Sequence, residues 1–154
     1  MYLLDTNVVS ELRRPHPHPA VAGWIERVAA DELFLSAVTV GEIQAGIELT
    51  REQDAVKAAE LEGWLGAVLI SYNVLPMNAA TFREWARLKH RRSDTLMEDA
   101  MIAATAVEHR LACISHHPTA AAHDTTARTS LRLLAVLNVL FKYACARQAA
   151  RASS

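Results

Sequence analysis

The sequence predicts an α/β fold of three layers, in which helices cover both faces of a mainly parallel sheet. Four apolar runs, each too short to form a helix, alternate with segments whose apolar residues recur at helical spacing. At least two of these runs lead straight into a helix start, because polar or capping residues follow at once. Strands that alternate with helices in this way pair in parallel, since each helix carries the chain back across the sheet.

The predicted elements are four strands and six helices. Residues 39–42 and 95–98 both have the S/T-x-x-E form of a capping box, so we expect the third and sixth helices to begin there. Gly63 and Gly66 weaken the expectation that the fourth helix is continuous. The expected strands are residues 2–4, 33–38, 74–76 and 111–115. The expected helices cover residues 6–14, 20–29, 52–70, 79–92 and 99–110, and a further helix starts at the capping box of residues 39–42.

Chain length and composition indicate one domain. The chain has 154 residues, of which 51% are hydrophobic, enough to bury one sizeable core. Residues 1–115 carry the alternating pattern and form the predicted core of the domain. Residues 116–154 form a divergent C-terminal segment that either completes the same domain or stays apart from it, and residues 134–137 fit a fifth strand as well as a helix.

Charge, cysteine content and motifs exclude several classes of protein. Sixteen basic and 17 acidic residues give a net charge of −1, so a nucleic acid would have to be bound by local basic patches and cations. Two cysteines, an early Asp5 and no apolar run of about 20 residues predict a cytoplasmic protein without a membrane segment. The absence of a Walker loop, a nucleophile elbow and a dinucleotide fingerprint argues against an NTPase, an α/β-hydrolase and a dehydrogenase.

Three carboxylates are predicted to meet at one edge of the sheet. Asp5 follows the first strand, Glu42 follows the second, and Asp99 lies in the first turns of the last long helix. Open α/β sheets bind ligands at this edge, outside the carboxyl ends of their strands. Asp5 and Glu42 also have plain explanations as helix-capping residues. Asp99 has a weaker one, because it shares a helix face with the apolar Ile102 and Ala103, where a carboxylate without a partner is costly.

A divalent cation is a common solution for such a group of carboxylates. Mg²⁺ prefers oxygen ligands and usually keeps several waters in proteins. A site of this kind polarises a phosphate, lowers the pKa of a bound water and stabilises a leaving oxygen. The residues therefore favour metal-dependent phosphodiester hydrolysis, on the assumption that the three carboxylates are close in space.

Three blocks of sequence occur in a consistent order. They are residues 3–8 (LLDTNV), 38–43 (VTVGEI) and 98–106 (EDAMIAATA). Together they resemble the PIN-domain ribonuclease toxins (VapC-like) of type II toxin–antitoxin systems. The resemblance implies a PIN-like domain of three α/β/α layers.

The same resemblance implies an activity, a site and partners. It implies an endoribonuclease, a hydrolase dependent on Mg²⁺ or Mn²⁺ that often cuts tRNA or rRNA. It also implies a homodimer that a cognate antitoxin neutralises by inserting a peptide into the active site. Asp5, Glu42 and Asp99 are then the catalytic residues and metal ligands. Thr6 and Asn7 support them, with Thr6 able to hydrogen-bond a ligand or water, although it could equally serve only to start a helix.

The sequence departs from the family pattern after the fourth strand. The family usually has a Thr-Arg-Asn-like turn and then a fourth acidic residue, whereas residues 115–120 here read SHHPTA. Asp124 could act as the fourth metal ligand only if the loop is longer than usual, so this assignment is doubtful. The difference fits natural divergence, a frameshift in an ancestral sequence or an inactivated toxin. Three carboxylates suffice for one metal, but they leave a second metal in doubt.

A basic run precedes the Asp99 helix and is a candidate surface for RNA. The residues assigned to RNA binding are Arg87, Lys89, Arg91 and Arg92. The alternative is a solvated helix face, which is what such runs usually form. Cys113 and His116 have the spacing of a zinc-ligand pair, but the absence of a returning Cys or His pair disfavours a structural zinc site.

Two other functions stay open from the sequence. The first is a catalytically impaired PIN-like module that binds antitoxin or RNA without cleavage. The second is a metal-dependent phosphatase or DNA nuclease on a similar α/β scaffold. Divalent-ion binding without turnover favours the first of these, and a preference for DNA or phosphomonoesters favours the second.

Overall fold

The computed structural model describes residues 1–90 and 97–115, and these form a four-stranded parallel sheet with helices on both faces. The strand order is β3-β2-β1-β4, and every neighbouring pair is parallel. The strands are β1 (Tyr2–Leu4), β2 (Leu33–Ser36), β3 (Asn73–Leu75) and β4 (Ala112–Ile114). The helices are α1 (Thr6–Leu12), α2 (Pro19–Ile25), α3 (Ala37–Arg51), α4 (Ala55–Ser71), α5 (Ala79–Lys89) and α6 (Met97–His109), with a 3₁₀ turn at Ala30–Glu32. The predicted three-layer α/β fold is confirmed.

The register of β1 brings the ends of three strands together. Leu4 of β1 pairs with Leu35 of β2 on one side and with Ile114 of β4 on the other. Three positions therefore lie at the same carboxyl edge of the sheet: the residue after β1, the residue after β4 and the last residue of β2. These three residues are Asp5, Ser115 and Ser36, and all three are buried.

Adjacent residues of β1 anchor the two helical layers. Leu3 and Leu4 are fully buried, and consecutive strand residues point to opposite faces of a sheet. The Leu3 face packs against Leu88 of α5 and against Ile102, Ala103, Ala104 and Ala106 of α6. The Leu4 face packs against Val8 and Val9 of α1, Val21 of α2 and Val68 of α4. Burial of each leucine side chain contributes about 1.5–3 kcal/mol to the free energy of folding. Strand β1 therefore supplies one buried leucine to each of the two cores.

Helix α3 begins earlier than the sequence suggested, and the capping box predicted at residues 39–42 is wrong. Ser36 is the N-cap, and its Oγ accepts a hydrogen bond from the Val38 amide at 3.2 Å. Because this serine already satisfies one of the free amides of the first turn, the helix starts at the strand's end. Thr39 is therefore a fully buried residue inside the helix, and Glu42 lies in its second turn.

Other boundaries differ by a few residues. Helix α4 runs without a break through Gly63 and Gly66, so the predicted long helix is continuous despite these glycines. Helix α5 ends at Lys89 rather than at residue 92, because His90 has an extended backbone. Helix α6 begins at Met97, while the capping threonine predicted at position 95 lies outside the described residues. Among the described helices, none combines the length and apolar character needed to cross a membrane.

The packing of α6 gives a direct stability test. Ile102 is 1% exposed in the Leu3 core, whereas Ile70 on α4 is 89% exposed. We expect Ile102→Ala to lower the free energy of unfolding by about 2–5 kcal/mol, because it removes buried contacts and leaves a cavity. We expect Ile70→Ala to change it by about 0.5 kcal/mol or less. Urea unfolding of both variants measures this difference, and equal losses would contradict the described core.

Candidate active site

Asp5 occupies a helix N-cap position but does not use its side chain as a cap. It follows β1 directly, and its amide donates to the Ile114 carbonyl oxygen at 2.9 Å. The side chain is only 3% exposed, and its Oδ2 makes no hydrogen bond within the described residues. The capping explanation for Asp5 is therefore not observed. A buried carboxylate oxygen in this state is costly and favours a partner such as a cation.

Thr6 connects α1 to α3 through the second carboxylate. Its Oγ1 donates a hydrogen bond to Glu42 Oε2 at 2.5 Å, across 36 residues of sequence. Glu42 is half-buried, and the hydrogen bond fixes one oxygen of its carboxylate. The structure thus places Thr6 beside a predicted site residue, as the sequence suggested. Asn7 is exposed on the first turn of α1, and its supporting role stays a prediction.

The charges of the other predicted carboxylates act on Glu42. Burial raises the pKa of Glu42 above its ordinary value of 4.5, the hydrogen bond from Thr6 lowers it, and the charges of Asp5, Asp99 and Glu98 raise it. The net pKa of Glu42 is raised. The charges of Asp5, Asp99 and Glu98 are therefore close enough to Glu42 to disfavour its ionisation. From the sequence, Glu98 was predicted only to cap a helix. Its position next to Asp99 was the signal that its charge also raises the pKa of Glu42.

Asp99 lies at the start of α6, above a buried apolar face. The side chain is half-buried, and Ile102, Ala103 and Ala106 below it are at most 3% exposed. This arrangement agrees with the face predicted from helical spacing. The N-terminal turn of a helix also stabilises negative charge, because the free backbone amides there carry partial positive charge.

Metal binding can be tested against the donor groups present. Among residues 1–90 and 97–115, no three His, Cys, Asp or Glu side chains are arranged to hold one ion together. Two observations nevertheless fit a divalent cation. Asp5 Oδ2 is buried without a hydrogen-bond partner, and neighbouring carboxylates raise the pKa of Glu42. Mg²⁺ is usually held by one or two carboxylates and several waters. Asp5 and Glu42 would supply such carboxylates, and the charge of Asp99 acts on the same group.

Cys113 lies beneath this group but is not suited to be a metal ligand. It is 2% exposed in β4. Burial raises the pKa of the Cys113 thiol to about 12, with further contributions from the charges of Asp5 and Asp99. Among residues 1–90 and 97–115, no His, Cys, Asp or Glu side chains are grouped with this buried thiol to hold an ion, so those residues offer no zinc site at Cys113. His116, its partner in the sequence-based zinc pattern, lies outside the described residues.

Only half of the predicted RNA-binding surface can be located. Arg87 forms an ion pair with Glu84 at 2.7 Å, and the Lys89 ammonium lies 5.6 Å from the centre of the Trp85 ring. Both basic residues belong to the last turn of α5. The other two residues predicted to bind RNA, Arg91 and Arg92, lie outside the described residues. The doubtful metal ligand Asp124 lies outside them as well.

The raised pKa of Glu42 has a consequence for stability. The folded state binds the proton of the Glu42 carboxyl more tightly than the unfolded state does. The free energy of unfolding therefore falls as pH rises from 4.5, the ordinary pKa, through the higher pKa of Glu42 in the folded state. In EDTA, we expect Glu42→Gln to raise the free energy of unfolding at pH 7.5 by about 0.5 kcal/mol, because solvent screens the repulsion at this half-buried side chain. The gain should vanish below pH 4.5.

Glu48 on the same helix is the control for this substitution. The hydrogen bonds from Arg51 and Gln44 lower its pKa, so Glu48→Gln should give no stabilisation at pH 7.5. Urea unfolding of both variants at the two pH values decides the matter. A destabilising effect of Glu42→Gln at pH 7.5 would contradict the repulsion described for this site.

Comparison with known proteins identifies the family. A family model described as "PIN domain" matches residues 2–119. Toxin FitB of Neisseria gonorrhoeae is 32% identical over 117 residues, which are 72% of this chain and 84% of that protein. VapC ribonuclease Y4jK of Sinorhizobium fredii is 36% identical over 115 residues, 71% of this chain and 81% of that protein. Ribonuclease VapC14 of Mycobacterium tuberculosis is 44% identical over 63 residues, 41% of this chain and 61% of that protein, less than two thirds of its length.

Solved structures agree with this assignment. The crystal structure of FitAcB from Neisseria gonorrhoeae matches with a TM-score of 0.67 and 30% identity, covering 76% of this chain and 88% of that chain. A toxin–antitoxin complex from Klebsiella pneumoniae matches with a TM-score of 0.59, covering 76% of this chain and 87% of that chain, and its 21% identity makes this a likeness of fold alone. The sequence match, the parallel sheet and the structural likeness have one explanation: this chain belongs to the PIN-domain family.

Proposed function

We propose that this protein is the toxin component of a toxin–antitoxin system and an endoribonuclease that depends on Mg²⁺ or Mn²⁺. The observation that carries the proposal is the buried Asp5 carboxylate, one oxygen of which has no hydrogen-bond partner. The charges of Asp5 and Asp99 both act on the nearby Glu42. Relatives over most of this chain bear the names Toxin FitB and VapC ribonuclease Y4jK. The chemistry is hydrolysis of RNA phosphodiester bonds.

Each residue of the site has a separate task. Asp5 and Glu42 hold the cation, and Thr6 fixes Glu42 by engaging one of its carboxylate oxygens. The cation, when bound, supplies positive charge for the phosphate and lowers the pKa of the attacking water. Asp99 accepts a hydrogen bond from water at the edge of the site and so orients it. The burial of Asp5 keeps bulk water away, which strengthens electrostatic interactions there.

The proposal extends to partners and location. We infer a cognate antitoxin as the protein partner, a homodimer as the assembly, and tRNA or rRNA as the substrate class. We infer a cytoplasmic location, in keeping with the low cysteine content of the chain. Arg87 and Lys89 at the end of α5, with Arg91 and Arg92 after them, supply the local positive charge that a chain of net charge −1 needs to bind phosphates. Residues 1–115 are the proposed core, and residues 116–154 its C-terminal segment.

Substitution of Asp5 tests the proposed activity. We expect purified, antitoxin-free protein to cut total cellular RNA into discrete fragments with Mg²⁺ or Mn²⁺ and not with EDTA. Asp5→Asn should lower the cleavage rate about 100-fold or more, the scale of losing one strong electrostatic contribution to a reacting phosphate.

Asp54 provides a matched control for that substitution. It also occupies a helix N-cap, but its Oδ1 accepts a real capping hydrogen bond from the Lys57 amide at 2.8 Å. Asparagine caps helices as well as aspartate does, so Asp54→Asn should cleave like the wild type. Folded wild-type protein that binds the cation without cutting RNA would contradict the enzyme and indicate a binding-only module. Cleavage of DNA or phosphomonoesters in preference to RNA would contradict the substrate class.

A further inference from the structure

We propose that the buried hydroxyl groups of Ser36 and Thr105 form a positioning pair that sets the separation of Glu42 from Asp99, and with it the affinity of the site for a divalent cation. This inference rests on the proposed function. It concerns two residues that lie outside the carboxylate group and that do not themselves touch the ion.

The pair joins two elements that are distant in sequence. Ser36 ends β2 and caps α3, whereas Thr105 lies in the second half of α6. Ser36 Oγ and Thr105 Oγ1 are 3.2 Å apart, across 69 residues of sequence, and both residues are 0% exposed. A hydrogen bond in such a dry setting is stronger than one in water, and it is costly to leave unmade.

The surrounding hydrogen bonds fix the direction of donation. Thr105 Oγ1 donates to the Met101 carbonyl oxygen at 3.0 Å, with the weaker acceptor Met77 Sδ at 3.6 Å. Either hydroxyl is a possible donor across the Ser36–Thr105 contact, and when Thr105 donates to Met101 its single hydrogen is used, so Ser36 donates to Thr105. Ser36 Oγ in turn accepts from the Val38 amide at 3.2 Å. The result is a single directed chain from an amide of α3 to a carbonyl of α6, with both hydroxyl groups satisfied.

Helix geometry links this chain to the site. Glu42 is six residues after Ser36, and Asp99 is six residues before Thr105. Six residues cover about 9 Å along a helix axis. The hydroxyl pair therefore joins α3 and α6 about 9 Å along each helix from the carboxylate that the helix carries, and so fixes how the two helices that bear Glu42 and Asp99 lie against each other.

The hydroxyl pair and the carboxylates act on the two helices in opposite senses. Glu42 on α3 and Asp99 on α6 carry like charges, which favour separation of the helices. The hydroxyl pair is attractive and holds α3 to α6 against that repulsion. An apolar pair of the same size would fill the space without a preferred alignment, whereas a hydrogen bond allows only a narrow range of distance and angle.

Thr105→Val tests the pair, because it keeps the size of the side chain and removes the hydroxyl. Thr39→Val is the matched control: Thr39 is also 0% exposed and lies on α3, but its hydroxyl makes no hydrogen bond within the described residues. The readout is the dissociation constant for Mn²⁺, measured from the free-ion electron paramagnetic resonance signal, with urea unfolding in parallel. We expect Thr105→Val to weaken Mn²⁺ binding about 10–100-fold, the usual effect of losing support behind a metal ligand.

Further variants separate positioning from simple stability. Thr105→Ser, which keeps the hydroxyl, should bind Mn²⁺ within about threefold of wild type. Ser36→Ala should lose at least as much as Thr105→Val, because it removes the cap on the Val38 amide as well as the pair. The double variant should lose no more than Ser36→Ala alone, because the pair is already absent there. If Thr105→Val does not fold, the comparison of Ser36→Ala with Thr39→Val decides the question.

The outcomes for this inference and for the proposed function are distinct. Wild-type protein that binds Mn²⁺ and cuts RNA, with Thr105→Val binding equally well, would overturn the positioning pair alone. Equal losses in Thr105→Val and Thr39→Val would also overturn it, since the effect would then belong to any buried threonine. Wild-type protein without Mn²⁺ binding would overturn the proposed function, together with the site that the pair is inferred to position.

Discussion

Parallel pairing of β1 with both of its neighbours is the constraint on which the rest of the structure depends. It places Leu3 and Leu4 in opposite cores and so holds a helical layer against each face of the sheet. It also ends three strands at one level, which brings Asp5 beside the start of α3. A shift of one residue in β1 would exchange the two faces and remove Asp5 from this edge. Fold and site therefore share one register.

The site contains an electrostatic conflict that the fold tolerates. Asp5 is buried with an unpartnered oxygen, and Glu42 is half-buried among like charges. Both features oppose folding of the metal-free chain, because charged groups are removed from water without full compensation. Apolar packing around Leu3, Leu4 and Ile102 offsets this cost. Such a conflict at one place in an otherwise consistent structure is typical of a functional site.

The sequence predicted the four strands, the parallel sheet and the edge where the carboxylates lie, because short apolar runs and helical spacing are local patterns. It misplaced the start of α3, since Ser36 and Thr39 are both suitable caps and only the end of β2 decides between them. It could not reveal the contact between Ser36 and Thr105, which joins residues 69 positions apart through a hydrogen bond that leaves no periodic pattern. The effect of the Glu98 charge on Glu42 had only an indirect signal, the position of Glu98 next to Asp99, because the effect depends on the packing of α6 near α3.

The central claim is that Asp5 and Glu42 together hold a divalent cation at the carboxyl edge of the sheet. The most direct measurement is the anomalous X-ray scattering of Mn²⁺ in crystals grown with that ion. The account predicts an anomalous peak in contact with carboxylate oxygens of both residues, at the coordination distance of about 2.1 Å found for small divalent cations. Asp99 should lie in the water shell of the peak. A well-ordered site without such a peak, or a peak held by other residues alone, would contradict the account.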